Sequence, residues 1–342
     1  MKIRSRSPLR LGFGGGGTDL SSYCNVHGGY ILNATIDQYA YAFLEPPDEP
    51  LIRLIALDQK IEREYPLADF LQTDGVLDLH KGVYNRIVKQ FNNHEPLPVI
   101  LTTFSDAPPG SGLGSSSTLV VALLNSFVEY LNLPVGEYDM AHLAFEIERI
   151  DIGLNGGKQD QYAATFGGFN FMEFYANDRV IVNPLRIKDW IVSELEMSLV
   201  LFFTGISRDS AWIIEEQTKN VSEGQLDAVT AMHELKKEAL LMKEALLRGE
   251  LLTFAERMER GWLAKKRTAG RVSNPMIDSI YEGAKRNGAI AGKASGAGGG
   301  GFIMFMVDPQ RRIQLISYLK GLEGSVFNFR FTNQGTQSWR VE

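Results

Sequence analysis

The chain has 342 residues, 44% of them hydrophobic and 22% charged, which is typical of a globular protein with room for two domains. A formal net charge of -6 argues against a nucleic-acid binder, and no apolar run is long enough for a membrane span. The single cysteine, Cys24, excludes an internal disulfide. We therefore expect a cytoplasmic protein with no nucleic-acid or membrane partner, whose anionic ligands are held by local groups.

Hydrophobic periodicity predicts the elements of the first half of the chain. Residues 2–13 alternate loosely before a glycine run, and the aromatic and β-branched stretches at 30–36 and 39–44 predict two paired strands. Further strands are predicted at 51–57 and 99–104, helices at 80–92, 119–131, 137–150 and 159–165, and a hairpin at 168–175 and 179–182.

A second module is predicted to begin near residue 190, where strands and helices alternate. Strands are predicted at 198–204, 289–293, 302–307 and 325–331, and helices at 209–219, 225–248, 250–267, 274–287 and 309–320. This pattern indicates an α+β protein with domains at 1–188, carrying the nucleotide and catalytic loops, and at 189–342.

A glycine- and serine-rich loop before the helix at 119–131 is the most informative segment. Its three spaced glycines allow the backbone to come close to a ligand, and its serines open a helix whose first amides lack partners. We therefore predict that it binds nucleotide phosphates, rather than serving only as a helix cap. The predicted nucleotide-binding residues are Pro109, Gly110, Ser111, Gly112, Leu113, Gly114, Ser115, Ser116 and Ser117.

Two familiar nucleotide motifs are excluded. Residues 12–17 match G-x-G-x-x-G, but residues 18–29 are too short and too broken by glycine for the helix of a dinucleotide-binding unit. Lys158 follows a glycine but precedes Gln159, so the Walker A pattern fails. A third glycine-rich loop, at 292–301, is expected to pack its backbone tightly against the other two loops.

Three ordered segments together resemble the GHMP kinases, the family of galactokinase, homoserine kinase, mevalonate kinase and phosphomevalonate kinase. The second family motif, P-x-x-x-G-L-G-S-S, is matched at 108–116, the first by Arg10 with Thr18 and Asp19, and the third at 292–301. The resemblance implies an N-terminal domain like ribosomal protein S5 domain 2, a ferredoxin-like C-terminal domain and an active site between them.

The resemblance also implies the catalytic chemistry, with ATP and Mg²⁺ as cofactors. Asp160 corresponds to the aspartate that faces the acceptor hydroxyl, as a base or an orienting group, and Arg10 to the cation beside it. Glu148 corresponds to the magnesium ligand, with Ser115 as its expected serine partner and Ser116 as the second choice; Glu146 is the competing carboxylate.

Within the family, residues 7–20 and 32–37 are most similar to the sugar kinases of nucleotide-heptose synthesis. The implied reaction is phosphorylation of D-glycero-D-manno-heptose 7-phosphate at its anomeric hydroxyl. A fucokinase-like enzyme or another monosaccharide kinase is the alternative, and a non-catalytic ligand sensor is a third. Lys158, Arg208 and the amides of residues 14–17 are candidates for the distal phosphate. The expected substrate-binding residues are Gly16, Gly17, Thr18, Asp19, Lys158, Arg208, Gly298 and Gly299.

Overall fold

The protein's structure, a computed structural model, describes residues 1–206 and 211–342. Its N-terminal part combines a mixed sheet with helices. The strands are β1 (Lys2–Gly14), β2 (Gly29–Glu45), β3 (Leu51–Ala56), β4 (Ile61–Pro66), β5 (Val99–Ser105), β6 (Phe169–Phe174) and β7 (Val180–Pro184). The helices are α1 (Ser21–His27), α2 (Asp78–Phe91), α3 (Ser115–Leu131), α4 (Glu137–Glu146) and α5 (Gln159–Phe166), with a π-helical turn at Ile147–Asp151.

The remainder of the chain adds a smaller sheet, several helices and a returning strand. Its strands are β8 (Leu199–Phe203), β9 (Ala289–Ala294), β10 (Phe302–Val307), β11 (Ser325–Phe327) and β12 (Gln337–Val341). Its helices are α6 (Asp189–Ser198), α7 (Ala211–Ser222), α8 (Leu226–Arg248), α9 (Leu251–Lys266), α10 (Pro275–Arg286) and α11 (Arg312–Lys320), with a 3₁₀ turn at Pro309–Arg311.

Strand β2 organises the larger sheet, whose order is β12-β1-β2-β5-β3-β4, with β6 also paired to β2 and β7 to β6. The prediction of two strands here was wrong, because the backbone stays extended through residues 37–39. Residues 29–34 pair with β6 and residues 40–45 with β5, while the register against β1 shifts twice. Its alternate residues Ala40, Ala42 and Leu44 join the core beneath α2 and α3.

The smaller sheet is antiparallel, in the order β11-β8-β10-β9. Numbered 1 to 4 by their appearance in the chain, these strands lie in the order 4-1-3-2. Helix α11 connects strands 3 and 4. This arrangement confirms the predicted ferredoxin-like domain.

The last strand leaves that domain and returns to the first sheet. Strand β12 pairs antiparallel with β1, so that Lys2 lies opposite Val341 and Arg6 opposite Gln337. Just before it, Thr35 Oγ1 donates to the Thr332 carbonyl. Residues near the carboxyl end of the predicted second domain therefore complete the sheet of the first.

The two domains share a hydrophobic core. Leu9, Leu11 and Phe13 of β1 cluster with residues of β10 and with Met242 and Phe254 of helices α8 and α9. Their burial fixes the end of β1, and with it the loop that follows, against the C-terminal domain. Within the described residues, no helix is both long and apolar enough to cross a membrane.

Candidate active site

A cleft of about 490 Å³ lies between the domains, and all three glycine-rich loops reach it. The structure brings most of the predicted site residues to its walls. Those lining the cleft are Arg10, Gly17, Asp19, Pro109, Gly110, Gly112, Gly114, Ser115, Ser116, Ser117, Glu148, Asp160 and Gly298.

The central loop has the backbone that its sequence predicts. Gly110, Gly112 and Gly114 have φ angles of 69°, 86° and 79°, in the left-handed region that glycine adopts without strain. Helix α3 begins directly afterwards at Ser115, and its first residues line the cleft. The first amides of the helix therefore lie at the cleft. Ser111 and Leu113 are buried and lie outside the lining.

The second and third loops pack backbone against backbone, as predicted. A Cβ atom on Gly112 would lie 2.5 Å from the Ser295 carbonyl oxygen, and one on Gly296 would lie 2.8 Å from the Gly112 Cα. The Ser295 hydroxyl donates to the Gly112 carbonyl at 2.8 Å. This close approach holds the central loop against the C-terminal domain.

Arg10 and Asp160 form the central ion pair of the cleft. Arg10 Nε donates to Asp160 Oδ1 at 2.7 Å, and a terminal nitrogen of the same guanidinium donates to the Gly112 carbonyl, also at 2.7 Å. Arg10 is almost completely buried, whereas Asp160 is partly exposed to the cleft. The guanidinium therefore orients the carboxylate and leaves it accessible to a ligand.

Asp19 connects the first loop to helix α5. Its Oδ2 accepts hydrogen bonds from the amides of Lys158 and Gln159, and its Oδ1 accepts one from Gly17. A Cβ on Gly157 would overlap this carboxylate, so glycine is needed there. Asp19 thus caps the helix that carries Asp160, and its cleft-facing oxygens are held in place.

Glu148 lies in the π-helical turn and is buried among polar groups. The hydroxyls of Ser116 and Ser117 donate to its two oxygens at 2.8 and 2.6 Å, and Gln161 Nε2 donates at 2.7 Å. Arg149 lies 3.2 Å from the same carboxylate.

The serine that contacts Glu148 is therefore not the first choice from the sequence. Ser115 turns toward the Pro108 carbonyl, whereas Ser116 and Ser117 point to the carboxylate, because successive helical residues face different directions. The competing carboxylate, Glu146, pairs with Arg86. The described residues contain no cluster of three or more His, Cys, Asp or Glu side chains suited to a metal.

Lys158 does not line the cleft, which corrects its assignment to the distal phosphate. Its side chain is buried, with Nζ 2.6 Å from Asp178 and 5.5 Å from the Phe145 ring centroid. The backbone amide of Lys158 is held by Asp19, and its ammonium is directed into the N-terminal domain. The other candidate, Arg208, lies outside the described residues.

The expected anion nest at residues 14–17 is also corrected. The Gly17 amide is already donated to Asp19, and the Gly16 carbonyl accepts a hydrogen bond from Lys265 Nζ at 3.0 Å. Thr18 is fully buried and donates to the carbonyls of Gly15 and Tyr30. The Gly17 amide is therefore engaged by Asp19, and the Gly16 carbonyl faces the Lys265 ammonium; Gly16, Thr18 and Gly299 lie outside the lining.

The sequence analysis missed several polar residues of the cleft, including Arg149, Gln217 and Lys265. A signal for Lys265 was present, because Phe254, Met258 and Trp262 occupy the buried face of α9 and residue 265 continues their spacing. A lysine at a position that the helical period assigns to the core indicates a specific partner.

Comparison with known proteins agrees with this geometry. The family description "GHMP kinases N terminal domain" matches residues 78–168, and "GHMP kinases C terminal" matches residues 242–322. A D-glycero-alpha-D-manno-heptose 7-phosphate kinase from Campylobacter jejuni is 51% identical over 339 residues, 99% of each chain.

Solved structures show the same architecture. One described as a D-glycero-D-manno-heptose 1-phosphate kinase from Bacteroides thetaiotaomicron is 44% identical, with a TM-score of 0.85 over 99% of both chains. A putative sugar kinase from C. jejuni is 50% identical, with a TM-score of 0.82 over 99% of this chain and 98% of that one.

The fold and the cleft define a two-domain small-molecule kinase that transfers a phosphoryl group to an alcohol. The chain belongs to the GHMP kinase family.

Proposed function

We propose that the protein is an ATP-dependent kinase that phosphorylates the anomeric hydroxyl of D-glycero-D-manno-heptose 7-phosphate in the cytoplasm. The observation that carries the proposal is the 51% identity to a heptose 7-phosphate kinase over 99% of both chains. The Bacteroides relative's name gives the phosphate at position 1. A 7-phosphate acceptor and a 1-phosphate acceptor are therefore the two candidates that an assay has to separate.

The proposed chemistry depends on positioning and charge. Phosphoryl transfer passes through a loose transition state, so the acceptor hydroxyl must be aligned and the charge on the phosphoryl oxygens balanced. Asp160 accepts the hydrogen bond of the acceptor hydroxyl and takes its proton late in the reaction. Arg10, 2.7 Å from Asp160, holds that carboxylate and adds positive charge beside the transferred group.

The nucleotide phosphates bind at the central loop in this proposal. The left-handed glycines bring the backbone close to the ligand, and the first amides of α3 meet the negative charge. Nine residues, Pro109 to Ser117, make up this site, and those among them that line the cleft are the direct contacts.

Mg²⁺ fits the oxygen donors at the start of α3. Glu148 supplies a carboxylate, and Ser116 and Ser117 supply hydroxyls that already contact it; Ser115 lines the cleft beside them. Mg²⁺ favours such a set of oxygen ligands completed by water and phosphate, and when bound it neutralises charge on the phosphates.

Replacing Glu148 by Gln should raise the Mg²⁺ concentration needed for half-maximal rate without a matching rise in the sugar KM.

The decisive experiment compares acceptors. With ATP and Mg²⁺, kcat/KM should be highest for heptose 7-phosphate, above heptose 1-phosphate, free fucose and free galactose, and phosphorus NMR should show a new anomeric phosphate. A higher kcat/KM for an unphosphorylated sugar would refute the heptose 7-phosphate assignment. A product phosphorylated at another carbon would refute the proposed position of transfer.

A further inference from the structure

Lys265 is a buried cation in the cleft wall with few partners of its own. It lies in the last turn of α9, is only 4% exposed and lines the cleft beside Asp19, Gln217 and Asp160. Within the part of the chain that the structure describes, Lys265 Nζ donates a hydrogen bond to the Gly16 carbonyl at 3.0 Å. An ammonium has three N–H donors. Burying one that has a single neutral acceptor costs free energy and leaves two of its donors without a partner.

Two neighbouring lysines show that this arrangement is specific. Lys293 is also buried, but its Nζ donates to two carbonyls, Gly12 and Phe13, and it lies outside the cleft lining. Lys266 follows Lys265 in the chain, is partly exposed and lies 3.7 Å from Asp278. Of the three, Lys265 alone lines the cleft.

The charges around Lys265 favour a neutral, hydroxyl-bearing ligand. The carboxylates of Asp19 and Asp160 and the guanidinium of Arg10 all act on its ammonium. A phosphate dianion placed there would face two carboxylates, whereas a sugar hydroxyl can accept from a lysine and donate to an aspartate at once. The site therefore has the mixed donors and acceptors that recognise a polyol.

We propose that Lys265 is an acceptor-binding residue, whose ammonium donates a hydrogen bond to a sugar hydroxyl adjacent to the one that is phosphorylated. The inference rests on the proposed function, in which Asp160 faces the reacting hydroxyl. Because Lys265 also holds the Gly16 carbonyl, it couples the first loop to the sugar through a residue of the C-terminal domain.

The first test is Lys265→Met, assayed with whichever sugar the wild-type enzyme phosphorylates best. Loss of a charged hydrogen bond should raise the sugar KM about 10- to 100-fold, with the KM for ATP unchanged and kcat changed less. Lys266→Met is the matched control and should behave like the wild type. Because the wild-type assay alone establishes the acceptor, a wrong substrate assignment and a wrong role for Lys265 give different results.

Acceptors lacking one hydroxyl at a time provide the second test. One deoxy sugar should lose kcat/KM with the wild type but little more with Lys265→Met, since both changes remove the same hydrogen bond. Lys265→Gln, which keeps a donor for the Gly16 carbonyl, is used in the same way if the Met variant loses ATP binding.

Three outcomes would overturn the inference. A fall in kcat with an unchanged sugar KM would place Lys265 on the transferred phosphoryl group. A loss confined to phosphorylated acceptors would place it on the distal phosphate. Strictly additive effects for every deoxy sugar would mean that it touches no hydroxyl.

Discussion

Asp160 is held in its orientation by Arg10 and by the cap that Asp19 places on α5, before any ligand binds. Asp160→Asn preserves shape and the Arg10 contact at one oxygen but removes the charge that accepts the proton. We expect kcat to fall by about 10²- to 10⁴-fold, the usual contribution of a positioned acid or base, with a smaller change in either KM. Steady-state kinetics measure this directly.

The control for that variant is Asp106→Asn. Asp106 is an exposed carboxylate that accepts a hydrogen bond from the Tyr39 amide and does not line the cleft, so its replacement should leave kcat near the wild-type value. A near wild-type kcat for Asp160→Asn would instead reduce Asp160 to a residue that stabilises the start of α5.

Lys265 gives the enzyme a specific dependence on pH. Burial, together with the charge of Arg10, lowers the pKa of Lys265 from 10.5 to about 8, against the opposing effect of Asp19 and Asp160. Lys293 is also buried, and burial together with the charges of Lys265 and Arg10 lowers the pKa of Lys293 well below its ordinary value. Below about pH 8 we expect the ammonium to be charged and to bind the sugar, and above about pH 8 we expect it to lose its proton and to bind the sugar more weakly.

We therefore expect kcat/KM for the acceptor to decline above about pH 8. In Lys265→Met this decline should disappear, leaving a lower value that varies less between pH 7 and 9. The profile is measured with ATP saturating and the sugar well below its KM. An identical decline in the variant would assign the titration to another group.

The features that the sequence predicted well are those defined by backbone conformation. Gly112 and Gly114 have left-handed backbone torsions, and the glycines in the sequence already indicate such a conformation. Lys158 and Lys265 show the limit, because each role depends on the direction of a long side chain. Lys158 is two residues before Asp160 in the chain, yet its side chain points to Asp178, whereas Lys265 comes from helix α9 and lines the cleft.

At the scale of elements, the second and third loops act as one unit because glycine allows their backbones to meet. Gly112→Ala would combine a φ of 86° with an overlap against the Ser295 carbonyl. Gly75→Ala is its matched control, since Gly75 has a φ of 87° and no atom within 4 Å of the added Cβ.

Both alanine variants should lose about 1 kcal/mol or more from the left-handed backbone alone. Gly112→Ala should lose about 1–3 kcal/mol beyond that from the steric overlap, and it should also raise the KM for ATP. Urea denaturation measures the free energies of unfolding. Equal losses in the two variants would show that the contact between the loops contributes nothing.

Elements with strong periodicity were predicted closely, and those defined by their partners were not. Helix α8 and strand β10 agree with the prediction within a residue or two, because their apolar patterns are unambiguous. Strand β4 has a largely exposed, charged sequence and exists because it pairs with β3. Helix α1 has seven residues between glycine-rich turns, too few for a clear period.

For the whole molecule, β12 completes the first sheet from the far end of the sequence. It covers the edge of β1, and Thr336 just before it joins a hydrogen-bond cluster with Ser7 and Asn125. Deleting residues 333–342 should lower the thermal unfolding midpoint and promote aggregation, because an unpaired strand edge can pair with another molecule. Calorimetry and light scattering test both effects.

A shorter deletion serves as the control. Removing Glu342, which lies outside β12, keeps every paired residue and should leave both measurements unchanged. If the longer deletion also left both measurements unchanged, β12 would contribute nothing to the stability of the sheet.

The pairing of β1 with β12 also bears on how the chain is made. A ribosome releases the amino-terminal strand first, and the contact between Arg6 and Gln337 spans 331 positions of sequence. At typical elongation rates the nascent β1 waits on the order of tens of seconds for its neighbour to emerge. Closure of this edge therefore has to wait until the residues between the two strands have been made, and a pairing over so long a stretch of chain is of the kind that forms slowly.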